Sequence, residues 1–366
     1  MIFSGKRLGG AAFAEHSTSP DGDFMSQTSL ISSSVPFDRD GVHRGYLRIP
    51  HSVHDSAYGH IPVPIQVVKR GEGPTVLLTG GVHGDEYEGP LFLYKLMKTL
   101  QEHDLSGRVI IVPSVNHPAF IAGSRVSPID QINLNRAFPG SRNGSTTQTI
   151  AHYLSTVLLP LADYAIDMHA GGSSLQYLPT LFAPTWDDPA KAGVIRELID
   201  AFAPPRVAYF NSRTALDGED RVFGNAADQN GCHFLTGEFG GGGTVNLQGK
   251  AMLESGILSV LRHLGILTAP AYPTAVSRTQ TRHLTISDPD LFAFTPIAGV
   301  FEPAFQLGED VAAGALAGLI HDPATPWNPP LEVRFKAGGL ALCIRTFARV
   351  KPGDCLGHLA RDIAAR

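Results

Sequence analysis

The chain has 366 residues, 43% hydrophobic and 17% charged, with a formal net charge of −5. This length supports about two domains with a sizeable core, and the mildly acidic balance, with no basic run or basic-aromatic stripe, gives no sign of a nucleic-acid partner. No apolar run approaches the roughly 18 residues of a membrane span, and three cysteines, mostly far apart, fit a reducing cytoplasmic setting rather than a disulfide framework.

Taken in chain order, residues 1–27 are rich in Gly, Ser and Ala without periodicity and read as a disordered tail. Lys6-Arg7 followed by residues 8–14 only faintly imitates a secretory signal, being short and glycine-broken, and a start at Met25 explains the segment as simply. Residues 45–49 and 61–68 read as strands, the second placed at a sheet edge by its prolines. Residues 75–79 form an apolar, β-branched run that reads as a buried strand, and 86–100, acidic and then apolar, as the helix after it. A strand at 108–113, a helix at 145–160, a strand at 164–168 and a helix at 191–202 follow. Strands at 207–210 and 233–238 and a helix at 253–264 complete the series. Such alternation predicts an α/β layer fold over residues 28–281.

From about residue 282 to 366 the texture changes to short, glycine-separated strands. Residues 299–320 are weakly echoed by 349–359, a quasi-repeat that resembles the two halves of a biotinyl/lipoyl-type β domain. Between the halves, His321-Asp322-Pro323-Ala324-Thr325-Pro326 offers no lysine to modify. A β-sandwich appendage that shapes an active site is therefore expected, not a swinging-arm carrier.

The chemistry concentrates at strand ends. In Gly80-Gly81-Val82-His83-Gly84-Asp85-Glu86, glycines break a strand and place His83 and Glu86 three residues apart on a tight turn. An imidazole and a carboxylate converging in this way are two-thirds of the ligand set of a catalytic zinc, which keeps three protein ligands and one open position. His169 is the best candidate for the third ligand. It ends the strand Ala165-Ile166-Asp167-Met168-His169 before glycines, at the sheet edge where α/β proteins bind ligands. Asp167, two residues earlier on the same strand face, could orient that imidazole or another polar group. His117 and His152 read as structural or surface residues.

Three further segments complete the set. Asn135 and Arg136, in Asn133-Leu134-Asn135-Arg136, set an amide beside a guanidinium whose fork matches a carboxylate. Arg125 offers a second cation that could stabilise an oxyanion. Glu238 ends a strand before four glycines, where a carboxylate can serve as general base to water on a metal. Taken singly, each has a plainer alternative: a turn residue for His83, Glu86 or Asn135, an ion pair for Arg136, a surface position for Arg125, a turn cap for Glu238. No Gly-x-Ser-x-Gly elbow, Gly-x-Gly-x-x-Gly or Walker-type motif supports a competing chemistry.

Gly81-Val82-His83-Gly84-Asp85-Glu86, Asn133-Leu134-Asn135-Arg136, Asp167-Met168-His169 and Gly237-Glu238, in this order, resemble the succinylglutamate desuccinylase/aspartoacylase family, a branch of the zinc-carboxypeptidase fold. The resemblance covers roughly residues 35–362 and implies a zinc-carboxypeptidase-like mixed sheet flanked by helices, plus a C-terminal all-β domain. It implies one Zn2+ per subunit held by His83, Glu86 and His169, with Asn135 and Arg136 on the substrate carboxylate. Glu238 would be the general base, and Arg125 resembles the family's additional active-site arginine. Ala170 departs from the family pattern, which has a serine there. Residues 35–43, 85–90, 127–130 and 240–244 are similar, more narrowly, to the N-acetyl-diaminobutyrate deacetylases of ectoine degradation. The activity implied is removal of a short acyl group from an amino-acid amine. A metallocarboxypeptidase acting on peptides and a non-catalytic zinc- or ligand-binding protein are the competing readings. The expected partner is a small N-acyl amino acid, with a symmetric homo-oligomer as the default assembly.

Overall fold

A computed structural model describes residues 29–100, 104–210, 219–268 and 280–364; the tail read at residues 1–27 lies outside them. The centre of the fold is a mixed sheet. Its strands run in the spatial order Gly41–Pro50, His60–Arg70, Gly107–Val112, Thr75–Gly80, Tyr164–His169, His233–Glu238, Thr180–Pro184 and Arg206–Phe210. Thr75–Gly80 pairs in parallel with Gly107–Val112 and Tyr164–His169, and Tyr164–His169 in parallel with His233–Glu238. These central strands are largely apolar because both faces are covered, as parallel sheets require.

Alternation along each strand divides the core. Val76, Leu78, Val109 and Ile111 face one cluster, shared with the helices Glu88–Thr99, Pro189–Phe202 and Leu247–His263. Leu77, Ile110, Ala165 and Phe234 face the other, against Thr146–Tyr153 and Phe223–Gln229. The helix expected over 145–160 begins with a capping box between Ser145 and Gln148. It stays α only to Tyr153, then widens into a π-helical turn, Leu154–Leu158, and ends as 3-10 around Pro160, whose ring cannot continue the α ladder.

The proline-bearing strand is only half an edge. His60–Arg70 pairs with Gly41–Pro50 from His60 to Lys69, but only Gln66–Arg70 also pairs with Gly107–Val112. Pro62 and Pro64 fall in the half with one neighbour, where the ladder tolerates the missing N–H.

The turn between Thr75–Gly80 and the following helix depends on glycine. Gly81 has φ +65°, and a Cβ on Gly84 would lie 2.0 Å from the Ala119 carbonyl. The chain can pass that close only without a side chain.

Beyond Arg206–Phe210 the sheet continues through Arg282–Thr285 into Cys355–Asp362 and Gly339–Arg345. Opposite these last strands lies a four-stranded antiparallel sheet of Leu331–Arg334, Leu316–His321, Gly299–Pro303 and Arg349–Val350. Phe301, Phe305, Phe335 and Leu356 fill the space between. We keep the division at residue 282 as a proposal about folding units, since hydrogen bonding runs across it. Leu175–Tyr177, from the α/β part of the chain, pairs with Gly339–Arg345 of the β part. Among the described residues no helix is long and apolar enough to cross a membrane.

Candidate metal centre and active site

Three adjacent parallel strands deliver the site. Thr79 lies beside Asp167, and Asp167 beside Thr236; one step further, His169 lies beside Glu238. Side chains two residues apart share a face, and neighbouring strands are about 4.8 Å apart. The carboxyl ends of these strands therefore gather polar groups at one sheet edge.

His83 Nδ1 lies 2.8 Å from Glu86 Oε1, and His169 Nδ1 lies 2.9 Å from Glu86 Oε2. One donor atom from each of the three falls within 4.8 Å of the others, and all three residues are buried. The far nitrogens are also held. Asn133 Oδ1 accepts the Asn135 N–H at 2.9 Å, which fixes its oxygen towards His83 Nε2 at 3.1 Å. Asp167 Oδ2 lies 2.6 Å from His169 Nε2, while Asp167 Oδ1 accepts the Thr79 hydroxyl at 2.7 Å. His83 Nε2 faces an acceptor and so carries the hydrogen, and the charge of Asp167 Oδ2 close to His169 Nε2 favours the same tautomer there, although that oxygen accepts no hydrogen bond. Both Nδ1 lone pairs then point at a carboxylate, an arrangement that is repulsive unless a cation sits among them. A donor set of two imidazoles and one carboxylate, each oriented from behind, fits zinc.

The electrostatics differ between the two imidazoles. Burial alone would lower His169, but the charges and hydrogen bonds of Asp167 and Glu86 hold it well above the ordinary imidazole value. His83 is lowered, first by burial and then, against Glu86, by Arg125. Burial would raise Glu86, yet the two imidazoles leave it below the usual carboxylate range. Ala170 donates its backbone N–H to Glu86 Oε2 at 3.1 Å, so the main chain supplies a contact at the position that departs from the family pattern.

Glu238 behaves differently. Burial first, and the negative charge of Glu86 second, push its carboxyl up to about 8, with His169 and Arg125 opposing. Among the described residues its buried Oε2 has no hydrogen-bond partner. Arg125 Nη1 approaches Glu86 Oε1 at 3.6 Å from a half-exposed position. Asn135 Oδ1 accepts the Phe223 N–H at 2.9 Å, which leaves its amide N–H groups for the cavity, and Arg136 Nη1 donates to the Asn135 carbonyl at 2.7 Å.

His83, His169, Arg125, Asn135, Arg136 and Glu238 line one cavity of about 300 Å³, with Glu86 directly behind the two imidazoles. The structure thus brings together the seven candidate site residues and Asp167, while His117 and His152 lie elsewhere. Sequence reasoning missed the rest of the wall, notably Tyr177, Phe182, Trp186, Phe210 and Phe234. Phe234 could have been found, because period-two alternation puts it on the face of Thr236 and Glu238. Tyr177 and Phe182 carry no such signal, since their strands were not predicted.

Comparison with known proteins gives a consistent picture. The succinylglutamate desuccinylase/aspartoacylase catalytic domain matches residues 72–264. The N-alpha-acetyl-L-2,4-diaminobutyric acid deacetylase of Halomonas elongata is 39% identical over 92% of this chain and 96% of its own length. The product-bound ectoine utilization protein EutE (DoeB) of Ruegeria pomeroyi is 40% identical, with a TM-score of 0.84 over 90% of this chain and 98% of that one. A succinylglutamate desuccinylase/aspartoacylase from Rhodobacter sphaeroides is 36% identical, with a TM-score of 0.85 over 92% and 100%.

Proposed function

The chain belongs to the succinylglutamate desuccinylase/aspartoacylase family, and from that premise we propose that it is a zinc-dependent amidohydrolase that deacetylates N-acetyl-2,4-diaminobutyrate. The observation that carries this reading is the convergence of His83 Nδ1, His169 Nδ1 and the Glu86 carboxylate beside the raised carboxyl of Glu238.

In this reading His83, Glu86 and His169 would hold one zinc ion, which would supply Lewis-acid charge and acidify water. Glu238 accepts the proton of the attacking water and returns it to the departing amine. Its buried Oε2, which has no hydrogen-bond partner among the described residues, is available for both duties. Arg125 faces the developing oxyanion. Asn135 and Arg136 grip the α-carboxylate and so orient the scissile amide. Asp167 and Asn133 keep both imidazoles turned for ligation.

The three cysteines remain unpaired, which supports a reducing, cytoplasmic setting as part of the proposal. A symmetric homo-oligomer is the proposed assembly, to be read by sedimentation. The decisive experiment is a turnover screen of N-acetyl-, N-succinyl- and N-formyl-amino acids with zinc present. Hydrolysis of acetyl-diaminobutyrate is expected. Peptide cleavage without deacylation would replace this reading with that of a carboxypeptidase, and bound zinc without any turnover with that of a binding protein.

A further inference from the structure

The turn that carries His83 and Glu86 carries two more buried carboxylates, Asp85 and Glu88, and neither belongs to the metal cluster. Each is turned onto a loop that follows a strand of the site. Asp85 Oδ2 accepts the Ser173 N–H at 2.7 Å, just past His169. Glu88 Oε1 accepts the Asn246 N–H at 2.8 Å. Gly240 packs against the same oxygen so closely that a Cβ there would lie 2.1 Å from it. Glu88 therefore spans the glycine run after Glu238, touching Gly240 at its start and Asn246 just past its end.

That run has little order of its own. All four glycines, 240–243, hold positive φ, from +64° to +156°, and glycine gives up more freedom than any other residue when it is fixed. Neighbours impose its shape. The Gly240 carbonyl accepts the Gly171 N–H at 3.1 Å and the Tyr177 N–H at 2.9 Å, and Gly243 donates to the Gly172 carbonyl at 2.8 Å. These bonds tie the run to the loop after His169, which Asp85 holds to the turn; Glu88 holds the run to the turn directly. Glu238 is the last residue of its strand, so its following side is set by this loop. Glu88 itself does not line the cavity. Among the described residues its buried Oε2 has no hydrogen-bond partner. A carboxyl buried with one oxygen unpaired costs the fold free energy, which the contacts of Oε1 offset.

On the deacylase reading above, we propose that Glu88 is a positioning residue: by clasping Gly240 and Asn246 to the turn that bears Glu86, it fixes the Glu238 carboxylate relative to the His83–Glu86–His169 cluster. The link is short. Glu88 lies two positions after Glu86, and Gly240 two positions after Glu238, so one side-chain contact joins the segment of the ligands to the segment of the base. Without it the glycine run is free to shift, and Glu238 with it. A displacement of about 1 Å in a catalytic group costs roughly 10²-fold in rate.

The test separates this role from plain stability. Zinc-loaded Glu88→Ala, assayed on N-acetyl-2,4-diaminobutyrate, should lose about 10²-fold in kcat, with KM and zinc content near wild type. Glu88→Gln keeps an accepting oxygen for Asn246 and should restore most of that loss. In a Glu238→Gln background, Glu88→Ala should cost almost nothing further, because a residue that acts through another is not additive with it. Hydrogen exchange on the metal-free full chain reads the clasp without turnover. In Glu88→Ala the amides of Asn246 and of residues 240–243 should exchange about tenfold faster or more, the range of a hydrogen bond to a charged group. Those of the strand Gly107–Val112 should keep their rates. A wild-type kcat in Glu88→Ala, losses that multiply with Glu238→Gln, or exchange that rises equally in both segments would overturn the inference. Should Glu88→Ala fail to fold, Gly240→Ala opens the same contact from the loop side, and the same outcomes decide. If the wild type hydrolyses no N-acyl amino acid, the hydrolase reading falls, and the exchange pattern still decides the clasp.

Discussion

The Asp167 carboxylate lies 2.6 Å from Nε2 of His169 and takes the Thr79 hydroxyl on its other oxygen. Asp167 does not face the Nδ1 cluster, yet it determines which nitrogen of His169 offers a lone pair. Asp167→Asn should therefore weaken zinc binding by roughly 10–100-fold, read by competition with a chelator, while the fold persists. Unchanged affinity would reduce Asp167 to a packing residue.

Removing the ligands themselves should do more. His83→Ala, Glu86→Ala and His169→Ala are each expected to lower zinc content and activity together, and chelation of the wild type to abolish turnover until zinc is restored. Full zinc occupancy in His169→Ala would show that another residue is the third ligand.

Glu238 should separate chemistry from stability. With zinc bound, Glu238→Gln is expected to keep the metal and lose roughly 10²–10⁴-fold in kcat. In the metal-free protein the sign reverses. The carboxyl titrates near 8 when folded against 4.5 in its unperturbed state, so between these values the native state binds more protons and stability falls as pH rises. Glu238→Gln, which cannot ionise, should gain in Tm over wild type progressively from pH 4.5 to 8, and then level off. A gap that stays constant across this range would contradict the assigned burial of charge.

Arg136→Ala removes a charge-assisted contact worth about 1.5–3 kcal/mol and should chiefly raise KM. Arg136→Lys should restore only part of it, since an ammonium lacks the planar fork. A normal KM in Arg136→Ala would return the residue to a structural role.

Gly84→Ala tests the turn itself. The new methyl would meet the Ala119 carbonyl at 2.0 Å, and relief requires backbone movement costing about 1–3 kcal/mol. Lower Tm together with weaker zinc binding is expected, because His83 and Glu86 flank the displaced residue. A Tm within experimental error of wild type would mean that the turn yields freely at this position.

The sequence by itself determined the local chemistry of this protein. Apolar strands broken by glycine at 80–81 and 171–172 placed His83, Glu86 and His169 at strand ends, and helix and strand periodicities exposed the α/β order, because these signals depend on near neighbours in the chain. Only the tertiary structure decided how those ends meet. The register that sets Glu238 beside His169 joins residues 69 positions apart, and the amide oxygen of Asn133 fixes a histidine 50 positions away. The aromatic wall of the cavity is less legible still. Tyr177 belongs to a three-residue strand that exists because Gly339–Arg345 pairs with it, and its hydroxyl is held by His358, 181 positions further on. A strand so short has no periodicity to read, and the direction of a hydrogen bond is set by the partner that packing brings to it.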